Sequence, residues 1–278
     1  MGYEAILIKT ALVVYILAFV ISLYRLISRL SGRSPWVFRI MMSGFMMHTI
    51  AFLIRWKATY TMGYGHIPVT NRYESLVFFG WCLVLAWLVT ARWIPGPGVA
   101  AGMQGVSAVM TAAAGLVPGS TSRIEPLMPA LRSNWLLFHV VTCFLAYAAF
   151  AIATFIAARI LFRSASSPLQ TPHGSESREA EIVMHRLISL GFFLLTLGIL
   201  SGSAWAQQSW GRYWGWDPKE VWSLITWIVY AIFLHARMSR GWSGKKLAIL
   251  AVIGFAAVLF TFLGVNYLPV LRGLHSYA

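Results

Sequence analysis

The sequence predicts an all-α, polytopic integral membrane helix bundle with about eight transmembrane helices and both termini outside the cytoplasm. Three observations carry the prediction. Of 278 residues, 59% are hydrophobic and only 11% charged, with a mean hydropathy of +0.70, a composition well beyond the roughly half-apolar usage of soluble domains. The apolar residues collect into eight runs, each close to the roughly 20 residues that a hydrocarbon core about 30 Å thick requires. Lys and Arg divide unequally between alternate connections, 13 on one side and 9 on the other, and the positive-inside rule assigns the richer side to the cytoplasm. The carboxylates widen the contrast, leaving net charges of +10 and +4.

The first run, 5–27, follows Glu4 and carries Lys9 near its start, without a basic leader or a small-residue cleavage site. It therefore reads as a retained span, not a signal peptide. The second, 36–56, contains Met41, Met42, Met46 and Met47, whose helical spacing points to packing before copper binding. The third, 75–93, is preceded by NRYESL, in which Asn71 and Glu74 have capping-box spacing. The fourth, 98–117, begins with Gly98 and Gly102; together with Gly198 and Gly202 these are small-xxx-small pairs, whose usual meaning is close helix approach. Ser133 or Asn134 caps the fifth, 135–162. Residues 164–183, rich in Ser, Pro, Gly and Glu, read as a flexible cytoplasmic connection, a spacer and not a site. The sixth run, 184–206, leads into an outward tryptophan-rich loop at 207–221. Asp217, Pro218 and Glu220 suit the N-cap, N1 and N3 positions of the seventh helix, with its apolar run at 222–240, and the eighth run is 246–265. No internal repeat is present, and residues 1–278 read as a single membrane domain.

This composition excludes an ordinary soluble enzyme, and 8 acidic against 22 basic residues exclude an acidic or disordered chain. The formal charge of +14 forms no continuous stripe, so membrane orientation explains it and no nucleic-acid partner is expected. Cys82 and Cys143 lie inside apolar runs without C-x-x-C spacing, so redox chemistry on sulfur would come from a partner. No GxxxxGK[ST], GxGxxG, HExxH or GxSxG motif occurs, which leaves nucleotide hydrolysis, hydride transfer, zinc proteolysis and serine hydrolysis without support.

The strongest local signal is WAQQSWGRYWGWDPKEVWSLITW, which holds six of the thirteen tryptophans within 23 residues. Trp205, Trp222 and Trp227 fit an aromatic belt at the headgroup level. Trp210, Trp214 and Trp216 fit a belt less well, because anchoring a connecting loop needs one or two rings; several outward aromatic faces suit a flat, apolar ligand with indole N–H groups at its polar edge. Asp217 is at least as suited to capping as to ligand contact. Among the seven histidines, His139 lies four residues into the fifth run, about 6 Å deep, and His275 lies in the terminal tail, both on the side of the tryptophan loop. Two imidazoles on opposite faces of a porphyrin would complete six-coordinate iron, whereas a lone interfacial His is more often a polar anchor. His235 lies 13 residues into the seventh helix, about 20 Å deep, where an ionisable group is a functional-site hypothesis by default. His48 and His185 are candidate partners for it, although neither depth matches well. His66 and His173 fall in loops and are expected to be solvated.

WGRYWGWDPKEVW (210–222), NRYESL (71–76), SNWLLFHV (133–140) and the terminal GLHSYA (273–278) together resemble the haem-handling membrane proteins of cytochrome c biogenesis, in particular the CcsA/ResC type of the system II pathway. The tryptophan loop alone would also fit the related CcmC and CcmF haem handlers; its combination with NRYESL and a terminal LHSY points to CcsA. The resemblance implies that His139 and His275 are axial ligands of haem iron on the periplasmic side, with Trp210, Trp214, Trp216 and Asp217 forming the surface that holds the ring. It implies further that His235 is one ligand of a second haem position within the membrane, the other ligand belonging to a CcsB/ResB-type partner.

The implied activity is haem export and covalent attachment to apocytochrome c. Haem b (iron protoporphyrin IX) would be substrate and ligand, and the chain would be the CcsA subunit of a cytochrome c synthase in the bacterial inner membrane. No residue is assigned as acid or base. The partners would be the CcsB/ResB-type protein, an apocytochrome c with a Cys-x-x-Cys-His motif, and a thiol-reducing, thioredoxin-like protein. Two rival readings stay open. A non-catalytic b-type haem subunit of a respiratory complex requires two histidines at matched depth on facing helices; a haem transporter only would leave the attachment chemistry elsewhere.

Overall fold

The computed structural model describes residues 2–30, 32–94, 96–117, 122–166 and 175–265. Among the described residues all regular structure is helical. Eight helices among the described residues are long and apolar enough to cross a membrane, the eighth when taken with the turn that extends it to Gly264: α1 (Tyr3–Ile27), α2 (Pro35–Thr61), α3 (Arg72–Thr90), α4 (Gly96–Leu116), α5 (Asn134–Ser166), α6 (Ser175–Trp210), α7 (Pro218–Arg240) and α8 (Lys245–Leu259). A 3₁₀ turn at Pro129–Leu131 precedes α5, and a π-helical turn at Phe260–Gly264 extends α8. The chain is an all-α integral membrane protein, as its apolar runs require.

Local chemistry sets the helix ends. Ser34 accepts from the N–H of Val37 at 3.4 Å, with Pro35 opening α2. Asn71 accepts from the N–H of Glu74 at 2.8 Å to open α3, and Ser133 accepts from the N–H of Trp135 at 3.2 Å. Helix α7 begins with a full capping box between Asp217 and Glu220 and ends at Gly241, whose φ of +62° suits a residue without a Cβ. The helices reach beyond the apolar runs because polar caps and amphipathic turns extend them. Thus α6 starts at Ser175, so that the described ends of the connection expected at 164–183 are helical.

The described residues divide into two compact units, one within 1–92 and 96–137, the other within 93–95 and 138–277. In the first, α1 packs on α2 and α4, and α3 packs on α2 and α4. Helix α2 turns one stripe inward, with Val37, Met41, Gly44, His48, Ala51, Arg55 and Thr59 buried at helical spacing. A Cβ on Gly44 would lie 2.7 Å from the Tyr15 ring, and one on Gly80 2.7 Å from Thr111 Oγ1; these bare backbones let the helices approach. His48 is fully buried, its Nδ1 3.1 Å from the Tyr15 hydroxyl.

A buried ionic group closes one end of this unit. Arg55 bonds Glu74 at 2.8 and 3.0 Å, Glu4 at 3.0 Å, and the carbonyls of Ser122 and Arg123 at 2.9 and 3.4 Å. The other Glu74 oxygen accepts from the N–H and hydroxyl of Thr70, both at 3.0 Å. A buried charge is tolerable when its hydrogen-bonding capacity is met, and this guanidinium is met from four directions. Glu74 therefore does not close the capping box with Asn71; it is drawn to Arg55 instead. His66 also departs from expectation, being buried and not solvated. Gly63 and Gly65, at φ +80° and +59°, turn the chain back over α2. The His66 N–H then meets Thr59 Oγ1, and its ring nitrogens lie 3.2 and 3.3 Å from the carbonyls of Ile67 and Glu125. His173 lies outside the described residues.

In the second unit a stack of rings bounded by glycines joins four helices. Phe150 of α5 stacks on Tyr230 of α7 at 3.6 Å and 7°. A Cβ on Gly191 of α6 would come within 2.6 Å of Phe150, and one on Gly254 of α8 within 2.7 Å of Tyr230. Residues 146–153 of α5 are all buried. At the α7–α8 turn, Glu181 accepts from the N–H of Gly244 at 3.0 Å and faces Arg237 at 3.7 Å, while Arg237 donates to the Trp242 carbonyl at 3.1 Å.

Candidate functional site

The second unit holds the tryptophan stretch and a histidine against it. Helix α6 continues to Trp210 and α7 starts at Pro218, which leaves 211–217 as the non-helical part of the stretch expected at 207–221. Trp205 is 2% exposed, so it is a packed ring and not the headgroup anchor that its position suggested. It lies 6.1 Å from the His139 ring at 23°, and 4.9 Å from Trp210 at 59°. Trp222 packs on Phe260 at 4.1 Å. Trp227 packs on Phe192 at 5.0 Å and donates from Nε1 to Thr196 Oγ1 at 2.9 Å. These two rings also bind helices together, which the belt reading did not anticipate.

Trp214 and Trp216 form a second pair, edge to face at 5.9 Å and 89°. Trp216 is 70% exposed and has φ +57°, a left-handed conformation that costs a bulky L-residue roughly 1–2 kcal/mol. Such strain persists where the surroundings over-determine it and clusters at ligand-binding loops. The surroundings here are the capping box. Glu220 Oε2 accepts from the N–H groups of Gly215 at 2.7 Å and Asp217 at 3.1 Å, and Asp217 accepts from Lys219 N–H at 3.2 Å. Asp217 is buried and caps α7; Glu220 pins the loop. Arg212 lies across Gly215, where a Cβ would meet its Nε at 2.7 Å, so an exposed cation borders the rings. Neither Glu220 as a loop clamp nor Arg212 was singled out from the sequence.

His139 sits in the second turn of α5, half-buried. Its Nδ1 lies 2.7 Å from the carbonyl oxygen of Gly198 on α6. A carbonyl only accepts, so Nδ1 carries the proton and Nε2 keeps the lone pair, the arrangement in which a neutral imidazole ligates a metal. Cys143 Sγ is 3.7 Å from the same Nδ1, a contact that the spacing of four residues makes natural on a helix. The arrangement thus offers a single imidazole beside indole faces, which suits an iron that arrives with four ligands of its own.

His275, and with it the terminal motif, lies outside the described residues. His235 is exposed on α7, at helical spacing from the exposed Ile228 and Ile232, and so forms part of an apolar outer face of that helix. Of its two candidate partners, His48 is enclosed against Tyr15, and His185 on α6 has its Nδ1 buried without a hydrogen-bond partner. The structure therefore brings His139, Trp205 and Trp210 together, pairs Trp214 with Trp216, and makes Asp217 a cap. The sequence also did not disclose a cavity of about 510 Å³ in the first unit, walled by Trp56, Tyr60, Tyr64, His66, Arg132 and Leu136.

Residues 69–275 match the cytochrome C assembly protein family. The cytochrome c biogenesis protein CcsA of Synechococcus sp. (strain CC9605) is 37% identical over 260 residues, covering 84% of this chain and 83% of its own length. That of Prochlorococcus marinus (strain MIT 9313) is 36% identical over 260 residues, covering 82% and 80%. That of Chlamydomonas reinhardtii is 39% identical over 240 residues, covering 84% of this chain and 65% of its own.

Proposed function

The chain belongs to the CcsA family of cytochrome c assembly proteins, and from that premise we propose that it presents haem on the periplasmic face of the bacterial inner membrane for covalent attachment to apocytochrome c. Haem b is the substrate, bound through its iron by His139 and His275. Trp210, Trp214 and Trp216 carry the ring, Arg212 faces its carboxylates, and Asp217 fixes the loop and borders the ligand. His235 contributes to an earlier haem position within the membrane. Its place on an exposed apolar face of α7 suits a ligand shared with a CcsB/ResB-type partner.

The chemistry is addition of two cysteine S–H groups across two vinyl C=C bonds. Each sulfur bonds the vinyl carbon next to the ring, and the hydrogen goes to the outer carbon, without net oxidation. The thiols must arrive reduced, which is the task of a thioredoxin-like partner. This chain supplies orientation, holding two vinyls toward a Cys-x-x-Cys-His segment so that attack becomes effectively unimolecular. The histidine of that segment then displaces one imidazole and releases the product. Both termini and the tryptophan loop lie outside in this reading, on the less basic side.

The observation that supports the proposal most is the 2.7 Å bond from His139 Nδ1 to the Gly198 carbonyl, which suits a tautomer able to ligate through Nε2 beside the Trp205–Trp210 pair. The test is the absorption spectrum and cytochrome c yield of His139→Ala, His275→Ala and the double variant, each with and without added imidazole. The expected result is loss of the six-coordinate haem signature, with partial recovery in imidazole for each single variant. A double variant with a normal spectrum and normal maturation refutes the assignment.

A further inference from the structure

Resting on the reading of His139 as an iron ligand, we infer that the Gly198–Gly202 step of α6 is a positioning device for that imidazole and not merely a helix-packing motif. Small-xxx-small pairs ordinarily let two backbones approach, and other close glycines in this protein serve that end against phenyl and phenol rings, as Gly191 does against Phe150 and Gly254 against Tyr230. Gly202 faces a histidine instead. A Cβ there would lie 2.6 Å from His139 Nδ1 and 2.9 Å from its Cε1, so the ring occupies the space of the missing side chain. One turn back, a Cβ on Gly198 would lie 2.5 Å from Cys143 Sγ and 3.3 Å from Thr142 Oγ1. A side chain at 198 strikes the Cys143 sulfur, so that Cys143 or the turn of α5 that carries His139 must give way.

The carbonyl is the functional part of the device. An oxygen inside a helix normally has its second lone pair screened by side chains of the following turn. With glycine at 198 and 202 it is open, and it accepts from His139 Nδ1 at 2.7 Å; the nearby Ser201 hydroxyl, 3.1 Å away, donates more closely to the Leu197 carbonyl at 2.7 Å. Thr142 steadies the same turn of α5 by donating to the Phe138 carbonyl at 2.8 Å, with the His139 carbonyl 3.1 Å from the same hydroxyl. A ligating histidine whose other N–H is held by a carbonyl has a fixed ring plane and a more basic ligating nitrogen. Gly198 and Gly202 thus set the direction and the donor strength of His139, which governs how firmly iron is held and how far its reduction potential is lowered.

Two measurements on the full-length protein test this. In haem-free protein with 15N-labelled histidine, the signal lost in His139→Gln must report a proton on Nδ1; a proton on Nε2 overturns the inference. In haem-loaded protein, Gly202→Ala is expected to weaken haem binding about 10- to 100-fold, the usual cost of losing an outer partner of a metal-bound histidine. It should also raise the midpoint potential and shift the spectrum toward five-coordinate, and added imidazole should reverse the spectral change. Gly198→Ala should act likewise, and Cys143→Ala, by removing the sulfur that the new Cβ strikes, should return part of the affinity to Gly198→Ala. That pair decides the matter if Gly202→Ala does not insert. Wild-type affinity, potential and spectrum in the glycine variants, with haem lost in His139→Ala, would overturn the positioning role alone. An unchanged spectrum in His139→Ala would remove the ligand reading and this inference with it.

Discussion

At the closed end of the first unit, charged groups are used up on one another: Arg55 meets Glu74, Glu4 and two carbonyls, and Glu74 meets Thr70 with its second oxygen. Around His139 in the second unit, contacts are made by neutral groups. One ring nitrogen of His139 goes to a backbone carbonyl, and the Trp205 indole lies against the imidazole. The first arrangement is stable because Arg55 and Glu74 each meet several partners at once. The second holds the imidazole through Nδ1, which sets the tautomer with the lone pair on Nε2, the form a metal ligand needs. Charge pairing makes a clasp, and a fixed tautomer makes a candidate ligand.

The largest test of this contrast is Arg55→Ala. It leaves Glu74, whose side chain is 1% exposed, as an uncompensated buried charge, and the expected loss is about 3–5 kcal/mol, read as a collapse in inserted, monodisperse protein. Adding Glu74→Gln should recover part of the loss, because the two sites share one network. Arg55→Lys should recover little, since an ammonium cannot reproduce the fork that meets Glu74 and two carbonyls. Near-normal stability of Arg55→Ala would dissolve the comparison.

A smaller effect is expected from Gly254→Ala, which tests how much the neutral ring stack contributes to holding the second unit. The added methyl would meet Tyr230, itself stacked on Phe150 at 3.6 Å, and overpacking of this kind costs about 1–3 kcal/mol. Gly115→Ala is the matched control, because nothing lies within 4 Å of its added Cβ. A thermal midpoint for Gly254→Ala no lower than that of Gly115→Ala would show that the ring stack yields freely.

Hydropathy and caps made most of the fold legible. The eight spans follow from run length, and Asn71, Ser133 and Asp217 do cap α3, α5 and α7. What the sequence concealed depends on contacts between distant segments. Glu74 has the spacing of a capping residue, and only the approach of α2 reveals its true partner as Arg55. Trp205 looks interfacial by position, yet α5 covers it. His66 sits in a loop rich in turn residues, and its burial depends on two glycines at positive φ that fold the loop over α2. His139 and the tryptophans were visible as residue types at one end of their helices. The carbonyl that fixes the imidazole was not, because the GxxxG spacing of α6 reports that something comes close without saying what.

The smallest stability effect is expected from Asp217→Asn, and it sharpens the contrast most finely. Asp217 caps α7 through Lys219 N–H at 3.2 Å, and asparagine caps nearly as well as aspartate, so the thermal midpoint should move by less than the equivalent of about 0.5 kcal/mol. The loop clamp through Glu220 survives the change, since it uses the backbone N–H of Asp217 and not its carboxylate. Any loss of haem binding or cytochrome c maturation beyond that small shift would therefore report the lost charge acting on the ligand. If stability and haem handling both stay at wild-type levels, Asp217 belongs with the structural carboxylates of the first unit such as Glu74, a buried carboxylate employed in holding a helix end. If haem handling alone falls, the carboxylate belongs to the site, and the capping box is a scaffold that also presents a charge.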